Sequence, residues 1–507
     1  MLPARRTLGA LIAAAVLLVA CASAPVPPPA VAVGASPSLG VAAPPTATAR
    51  VADPTAPATT PPPAASAPEP SPTPTPTPRP SASTEATVTP EAAAAIIPGS
   101  VNRTSLNLQA TYDVRTSLGW ATRSLSARTT IVVTNTSGGP IDRLELNTIA
   151  ARLGSMRLLT VTVDGHAVPK TVRDQTISVS LGGILPAGAS TTVQVPFTSR
   201  LRSSTANSDW MFTKTNGIVS IHRWIPWISK ATPFVRPNHG DPFVTPVSPR
   251  VVVRLSTDRF LRIAGTGERV SISTDHRLQT FRAEHVRDFV FSAAPDYQVH
   301  ETTVGRHTIR VATRPGAAWS TMLSAARNAL TKLESRLGVY PYRLFTIAQS
   351  AGGFGMEGPM TVWIPFGVAA SNLRYLVTHE TAHQWFYGIV GNDQARQPFA
   401  DEAAADFVAR FILGLKRASR CSSDTLDRSI YEYTETCYYE TIYIQGGNLL
   451  DTLRQRMGDA AFWGALKGYV ADHRFGLAGT TWLLDALDDG TSLSFSSTYK
   501  ARFPRFY

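Results

Sequence analysis

Three features of the chain predict a multidomain α+β protein. The first is a long series of short, alternating apolar runs. The second is a later change to helical spacing, and the third is a His379-Glu380-Thr381-Ala382-His383 pattern inside that helical part. The expected architecture is an amino-terminal all-β domain of sandwich or saddle type, residues 99–300, followed by a mostly helical domain, residues 301–507, that carries the chemistry. With 507 residues, 43% of them hydrophobic, the chain has material for two cores.

Residues 1–20 read as a secretion signal. Arg5 and Arg6 precede an apolar run from Leu8 to Ala20 that is too short to span a bilayer in comfort. The run ends at Leu18-Val19-Ala20-Cys21, which resembles a bacterial lipobox, in which the signal is cut before a cysteine that carries lipid. A lipid at Cys21 is the expected membrane anchor; a conventional signal with an incidental cysteine is the alternative. Residues 21–98 read as a disordered linker, with no aromatic residue from Ala22 to Pro98 and a Thr73-Pro74-Thr75-Pro76-Thr77-Pro78 repeat. In polyproline II, about 75 residues at about 3.1 Å each reach at most on the order of 230 Å. The expected location is therefore the outer face of a bacterial membrane, in the cell envelope. The net charge of +12 suits an anionic surface or simple solubility. No compact basic block or basic-aromatic interleaving is present, so no nucleic acid partner is expected, and no obligate protein partner either.

The β domain is read from runs such as Thr129–Thr134, Leu158–Val163, Thr192–Val195 and Arg250–Leu255, punctuated by Ser137-Gly138-Gly139-Pro140 and Asp164-Gly165. The aromatic stretch from His222 to Trp227 is expected to pack against the next domain, with a place in a substrate groove as the alternative. A strand pair over His300–Thr313 precedes a helix over Ala318–Leu337, where Met322, Ala325, Ala329, Leu330 and Leu333 recur at helical spacing. A strand at Leu344–Ala348 and a glycine-rich turn from Gly352 to Met360 follow. The His379 helix is predicted to run to Gly391, and a second helix to start near Ala400. Further helices are expected over Gly447–Arg456 and Ala460–Val470.

Two histidines four apart project from one helix face, where they can bind a single zinc ion with Glu380 beside a water. Catalytic zinc takes three protein ligands, so a third donor must come from another element. Glu402 meets that need, 19 residues after His383 at the start of the second helix. One Zn2+ per chain is the expected cofactor. Asp406, four residues after Glu402, is a candidate acceptor that orients a ligand histidine; a plain exposed helix charge is the alternative. With Cys21 lipidated, Cys421 and Cys437 remain as an even pair in an exported protein, which predicts a disulfide. It would close about 17 residues and stabilise by about 3 kcal/mol in the loop-entropy picture.

The HExxH-x18-E spacing resembles the gluzincin metallopeptidases, in particular the aminopeptidase N and leukotriene hydrolase family. His383-Gln384-Trp385-Phe386 is similar to that family's HQWF, Met356-Glu357 to the ME of its GAMEN segment, and Tyr443-Ile444-Gln445-Gly446 to its Tyr-x-Lys-Gly motif. Leu333 to Tyr342 resembles the helix end and Tyr-Pro turn before the GAMEN strand. The resemblance covers roughly Val101 to the end and is strongest from Leu330 to Gly458. It implies a thermolysin-like catalytic domain behind the β-rich one, a peptide substrate, and a groove more open than in members with a carboxy-terminal helical domain, which is not expected here. It implies zinc on His379, His383 and Glu402, and Glu380 as general base. Tyr443 would donate to the tetrahedral oxyanion, and Glu357, with Gly355 and Met356, would bind the substrate's free α-amino group. Two departures stand out: Gly355 and Gly358 replace the alanine and asparagine of GAMEN, and Gln445 replaces the lysine. The expected function is that of a zinc-dependent aminopeptidase and bacterial lipoprotein. An endopeptidase or other hydrolase on the same zinc core, or a surface-anchored binding protein without turnover, are the alternatives.

Overall fold

The computed structural model describes residues 95–234, 242–434 and 437–507. The signal, Cys21 and most of the linker lie outside the described residues. The β-rich part is built on two long strands, Gln109–Gly119 and Ser124–Thr134, paired antiparallel with Tyr112 opposite Ile131. Ala110, Tyr112, Val114 and Leu118 of the first and Leu125, Ala127, Ile131 and Val133 of the second are buried. The intervening residues face outward, so period-two alternation gives one dry face and one wet face. Ser190–Arg200 pairs antiparallel on one side, and Val251–Thr257 joins parallel on the other, within a sheet of nine strands among the described residues. Two four-stranded sheets complete this part. One contains Ile141–Asn147 and Thr176–Leu185, the other Ile218–Ile221 and Phe291–Ala294.

One predicted strand is broken. Leu158–Val163 forms two short pieces, Arg157–Leu158 and Thr162–Val163, both pairing with Ser190–Arg200 but in registers one residue apart. The slip falls opposite Pro196, which has no N–H to give the ladder. Asp164-Gly165 makes the hairpin turn expected of it, with φ of 47° and 85°.

The sheet that positions the chemistry runs Gln298–Val304, His307–Thr313, Leu344–Ser350, Thr361–Pro365, antiparallel at the first step and parallel at the next two. Every residue of Leu344–Ser350 is buried, as a strand covered on both faces requires. The helix Trp319–Leu337 supplies the crossover that a parallel step needs and packs against the helix Ala370–Ala382, which carries His379.

That helix stops at Ala382, well before Gly391. Beyond it the backbone bonds span five residues instead of four, with Gly388 N donating to His383 O and Ile389 N to Gln384 O, and Tyr387 sits at φ 126°. The chain thus leaves the helical path just past His383, so that residues 383–387 turn inward. The helix Glu402–Leu413 packs against Ala370–Ala382 and Gly446–Met457. Helices Asp459–Asp472, Thr480–Asp489 and Ser496–Arg502 follow. Among the described residues, no helix is long and apolar enough to cross a membrane.

Candidate metal centre and active site

The structure brings His379, His383 and Glu402 together in the interior. The two imidazole Nε2 atoms are 3.2 Å apart, and each lies 3.3 Å from Glu402 Oε2. An ion bound tetrahedrally at about 2.0–2.1 Å has ligands about 3.4 Å from one another, so these three atoms already occupy three corners of such a site. Two imidazoles and a carboxylate are also the donor chemistry of catalytic zinc.

The charge balance fits a cation as well. His383 Nδ1 donates to Asp401 Oδ1 at 2.7 Å, which turns its Nε2 lone pair toward the centre. Burial works against a charged His383, but the carboxylates of Asp401 and Glu402 overcome it and raise the ring's proton affinity well above the ordinary range. Burial pushes the other way on Glu402, yet His383 and His379 hold its carboxyl far below the usual value. Two buried carboxylates that raise the proton affinity of a neighbouring imidazole make a centre that calls for positive charge, which a proton or a metal ion can supply.

Asp406 is not the orienting carboxylate that its spacing proposed. Its Oδ1 accepts from the Tyr375 hydroxyl at 2.5 Å and its Oδ2 from Arg410 Nε at 2.6 Å. Four residues beyond Glu402, it has risen about 6 Å along the helix, away from the histidines. Asp401, at the mouth of that helix, stays level with the ring of His383.

Asp401 is tied further. Gln394 Nε2 donates to Asp401 Oδ2 at 2.5 Å and to Glu357 Oε1 at 2.8 Å, so one carboxamide spans both carboxylates. Arg223 Nη2 donates to Gln394 Oε1 at 3.3 Å from behind. Arg223 belongs to the aromatic stretch His222–Trp227, which is packed: Trp227 stacks on Tyr112 with centroids 3.9 Å apart, and Trp224 meets Phe291 edge-on. Sequence reasoning misses Asp401, Gln394 and Arg223. Asp401 is signalled only by its place next to Glu402; the other two come from distant segments with no motif to mark them.

Glu380 is buried, and its Oε2 has no hydrogen-bond partner among the described residues. Burial raises its carboxyl well above the ordinary range; His383 opposes this, while Glu357 and Glu402 add to it. A carboxylate with raised proton affinity and an open lone pair suits a base that must take a proton. Gly355 approaches the Glu380 carboxylate closely. A Cβ on Gly355 would fall 2.1 Å from Glu380 Oε1 and 2.7 Å from Leu376 Cδ1, so a larger residue there would displace the ends of those two side chains. Gly358 is closed in likewise, since a Cβ there would meet Val290 Cγ2 at 2.5 Å and Thr361 O at 2.8 Å. Both glycines mark close approach.

Glu357 lies beside Glu380: oxygen or nitrogen atoms of Glu357, Glu380 and His383 all fall within 4.8 Å of one another. Met356 fixes its backbone by pairing with Trp363, with N to O distances of 3.3 and 2.8 Å. Residues after the second histidine stitch the same segment down. Gln384 donates to Gly358 O and accepts from Met360 N, both at 2.9 Å, while Trp385 Nε1 donates to Gly338 O at 3.0 Å.

Tyr443 sits on a π-helical turn, Glu440–Gln445, a form that recurs where a helix must widen to aim a side chain. Its ring stacks on His379 with centroids 5.6 Å apart. Burial, then the charge of Glu402, keeps its hydroxyl protonated far above neutral pH, as a donor requires. Gln445 turns away from the site. It donates to Ser419 Oγ and the carbonyls of Cys421 and Ser422, and accepts from Asp424 N and Arg502. Cys421 and Cys437 are joined in a disulfide with Cα atoms 5.9 Å apart, tying that loop to the segment leading into Tyr443.

Comparison with known proteins adds the fold. The chain matches no protein-family profile and no curated protein. Solved structures do resemble it. A mutant of the M1 zinc metallopeptidase from Deinococcus radiodurans superposes with a TM-score of 0.61 at 18% identity, covering 81% of this chain and 96% of that one. The same mutant bound to a Tyr-Ser-Ala substrate gives a TM-score of 0.61, 18% identity and coverages of 81% and 97%. A two-domain M1 zinc metallopeptidase mutant bound to L-arginine gives 0.59, 19% and coverages of 79% and 94%. The chain therefore has the fold of the M1 zinc metallopeptidases.

Proposed function

We propose that the protein is a zinc-dependent aminopeptidase that removes amino-terminal residues from peptides. A zinc ion held by His379, His383 and Glu402 would supply a Lewis acid for the scissile carbonyl and activate water. Glu380 takes the proton of the attacking water and returns it to the leaving amine. Tyr443 donates to the oxygen on which charge develops, a bond worth most in the transition state.

The carrying observation is the position of Glu357. Its carboxylate shares a 4.8 Å cluster with Glu380 and His383. In an amino-terminal residue the α-amino nitrogen lies only about 2.5 Å from the carbonyl carbon. An ammonium held on Glu357 therefore brings the first peptide bond, and no later one, to Glu380. The resembling structures bound to Tyr-Ser-Ala, L-arginine and L-tryptophan support the same reading. The reading also holds that residues 1–20 are a lipoprotein signal, that lipid on Cys21 and the proline-rich linker tether the enzyme to the outer face of a bacterial membrane, and that it trims peptides there.

The test is hydrolysis of matched peptides with free and acetylated amino termini, beside a Glu380→Gln control. Cleavage of the free peptide alone supports the reading. Equal cleavage of both removes the assigned role of Glu357 and favours an endopeptidase. A zinc-loaded protein inert on a broad peptide panel is a binding protein.

A further inference from the structure

Gln394 takes no part in the chemistry above, yet it touches both halves of the site. Its carboxamide nitrogen donates to Glu357 Oε1 at 2.8 Å and to Asp401 Oδ2 at 2.5 Å, one amide hydrogen for each carboxylate. Glu357 is the residue assigned to the substrate's amino terminus, and Asp401 holds His383 through Nδ1 at 2.7 Å. A single side chain thus connects the amine-binding carboxylate to the ligand histidine. All four residues are buried, so water screens these bonds little.

The amide is held in that sense from behind. Arg223 Nη2 donates to Gln394 Oε1 at 3.3 Å, and an arginine can only donate, so the amide oxygen faces Arg223 and the nitrogen faces the two acids. Arg223 is itself anchored in the β-rich part. Its Nε lies 3.7 Å from Asp288 Oδ2, its Nη1 donates to Thr245 Oγ1 at 3.1 Å, and its guanidinium lies over the rings of Phe243 and Tyr387, 5.1 Å from each centroid. Its backbone sits at φ 44°, a left-handed conformation that a non-glycine residue keeps only where its surroundings hold it. Two carboxylates within one hydrogen bond of the same nitrogen repel each other. A neutral donor between them offsets that repulsion and fixes both, which an apolar side chain of the same shape cannot do.

We propose that Gln394 is a positioning residue that couples the two halves of the site, setting at once the grip of Glu357 on a substrate amino terminus and the grip of His383 on the metal. The first half rests on the aminopeptidase reading; the second does not. Removing one of the two acids lets the carboxamide settle wholly on the other, so a change at Glu357 is felt at His383 only while Gln394 is present.

The test replaces Gln394 by methionine, which has similar length and no donor. Zinc affinity is measured by chelator competition, and kcat and KM on a tripeptide with a free amino terminus at saturating zinc. Gln394→Met is expected to weaken zinc binding about tenfold and to raise KM about tenfold, while kcat moves by less than about threefold. Gln394→Asn keeps the carboxamide but draws it back by about 1.5 Å; it should give smaller losses of both, and it serves if the methionine variant does not fold. Glu357→Ala is then made in the native and the variant backgrounds. It is expected to change zinc affinity by about threefold or more in the native protein and to leave that of Gln394→Met unchanged, a non-additivity that general damage to the fold does not produce. A loss of zinc affinity without the rise in KM, a rise in KM without that loss, or an equal effect of Glu357→Ala in both backgrounds overturns the proposal. If no peptide is hydrolysed the aminopeptidase reading fails, and the zinc measurements still decide whether Gln394 couples Glu357 to His383.

Discussion

The two histidines of the motif sit one turn apart on the same face, yet they are held by different physics. His383 is fixed by hydrogen bonds: Nδ1 donates to Asp401 at 2.7 Å and lies 3.1 Å from Phe386 O, and Asp401 is itself bonded by Gln394. The Nδ1 of His379 has no hydrogen-bond partner among the described residues. Its ring is held by stacking between Tyr375 and Tyr443. One side of the centre is a buried polar network that fixes tautomer and charge. The other is an aromatic wall that fixes orientation. Two rings of one motif can thus be held by unlike forces, hydrogen bonds on the side where Glu357 lies and stacking on the other.

The comparison can be broken at its centre first. Glu380→Gln, between the two sides, is expected to lower peptide hydrolysis by about 10²–10⁴-fold while zinc content by metal analysis stays the same. Loss of zinc in that variant would instead make Glu380 a ligand. On the wall side, replacing Cys421 and Cys437 together by serine should cost about 3 kcal/mol in denaturant unfolding. It should slow turnover by loosening Tyr443, with zinc affinity kept on both sides. On the polar side, Asp401→Asn should weaken zinc binding by about 10–100-fold in chelator competition. Tyr375→Phe should do the least, removing about 1 kcal/mol of stability with its hydrogen bond to Asp406 while the stack on His379 persists. If Tyr375→Phe weakens zinc as much as Asp401→Asn does, the distinction between the two histidines is wrong.

Much of this was legible in the chain. The strands around Thr129–Thr134, Thr192–Val195 and Arg250–Leu255 form because alternating burial is a local pattern, and the helix Trp319–Leu337 because its apolar positions repeat every turn. Leu158–Val163 misled because its apolar alternation cannot report that the partner strand offers Pro196. The end of the motif helix misled because Gln384 and Trp385 are helix-compatible residues. They are pulled off the helical path by bonds to Gly358, Met360 and Gly338, all distant in sequence.

By itself the sequence determined which atoms can meet a metal. His379 and His383 share a helix face by the 3.6-residue period, and Glu402 follows at a return distance a turn can close. Tertiary structure alone decided which carboxylate serves the ligand. Asp401 and Asp406 flank Glu402 with similar claims in one dimension, but only Asp401 is level with His383 once the two helices pack. It likewise decided that Gln445 faces the disulfide loop, that Gly355 lies against the Glu380 carboxylate, and that Arg223 braces Glu357 through Gln394. These are contacts between segments far apart in the chain, and their geometry exists only after the sheets and helices have packed.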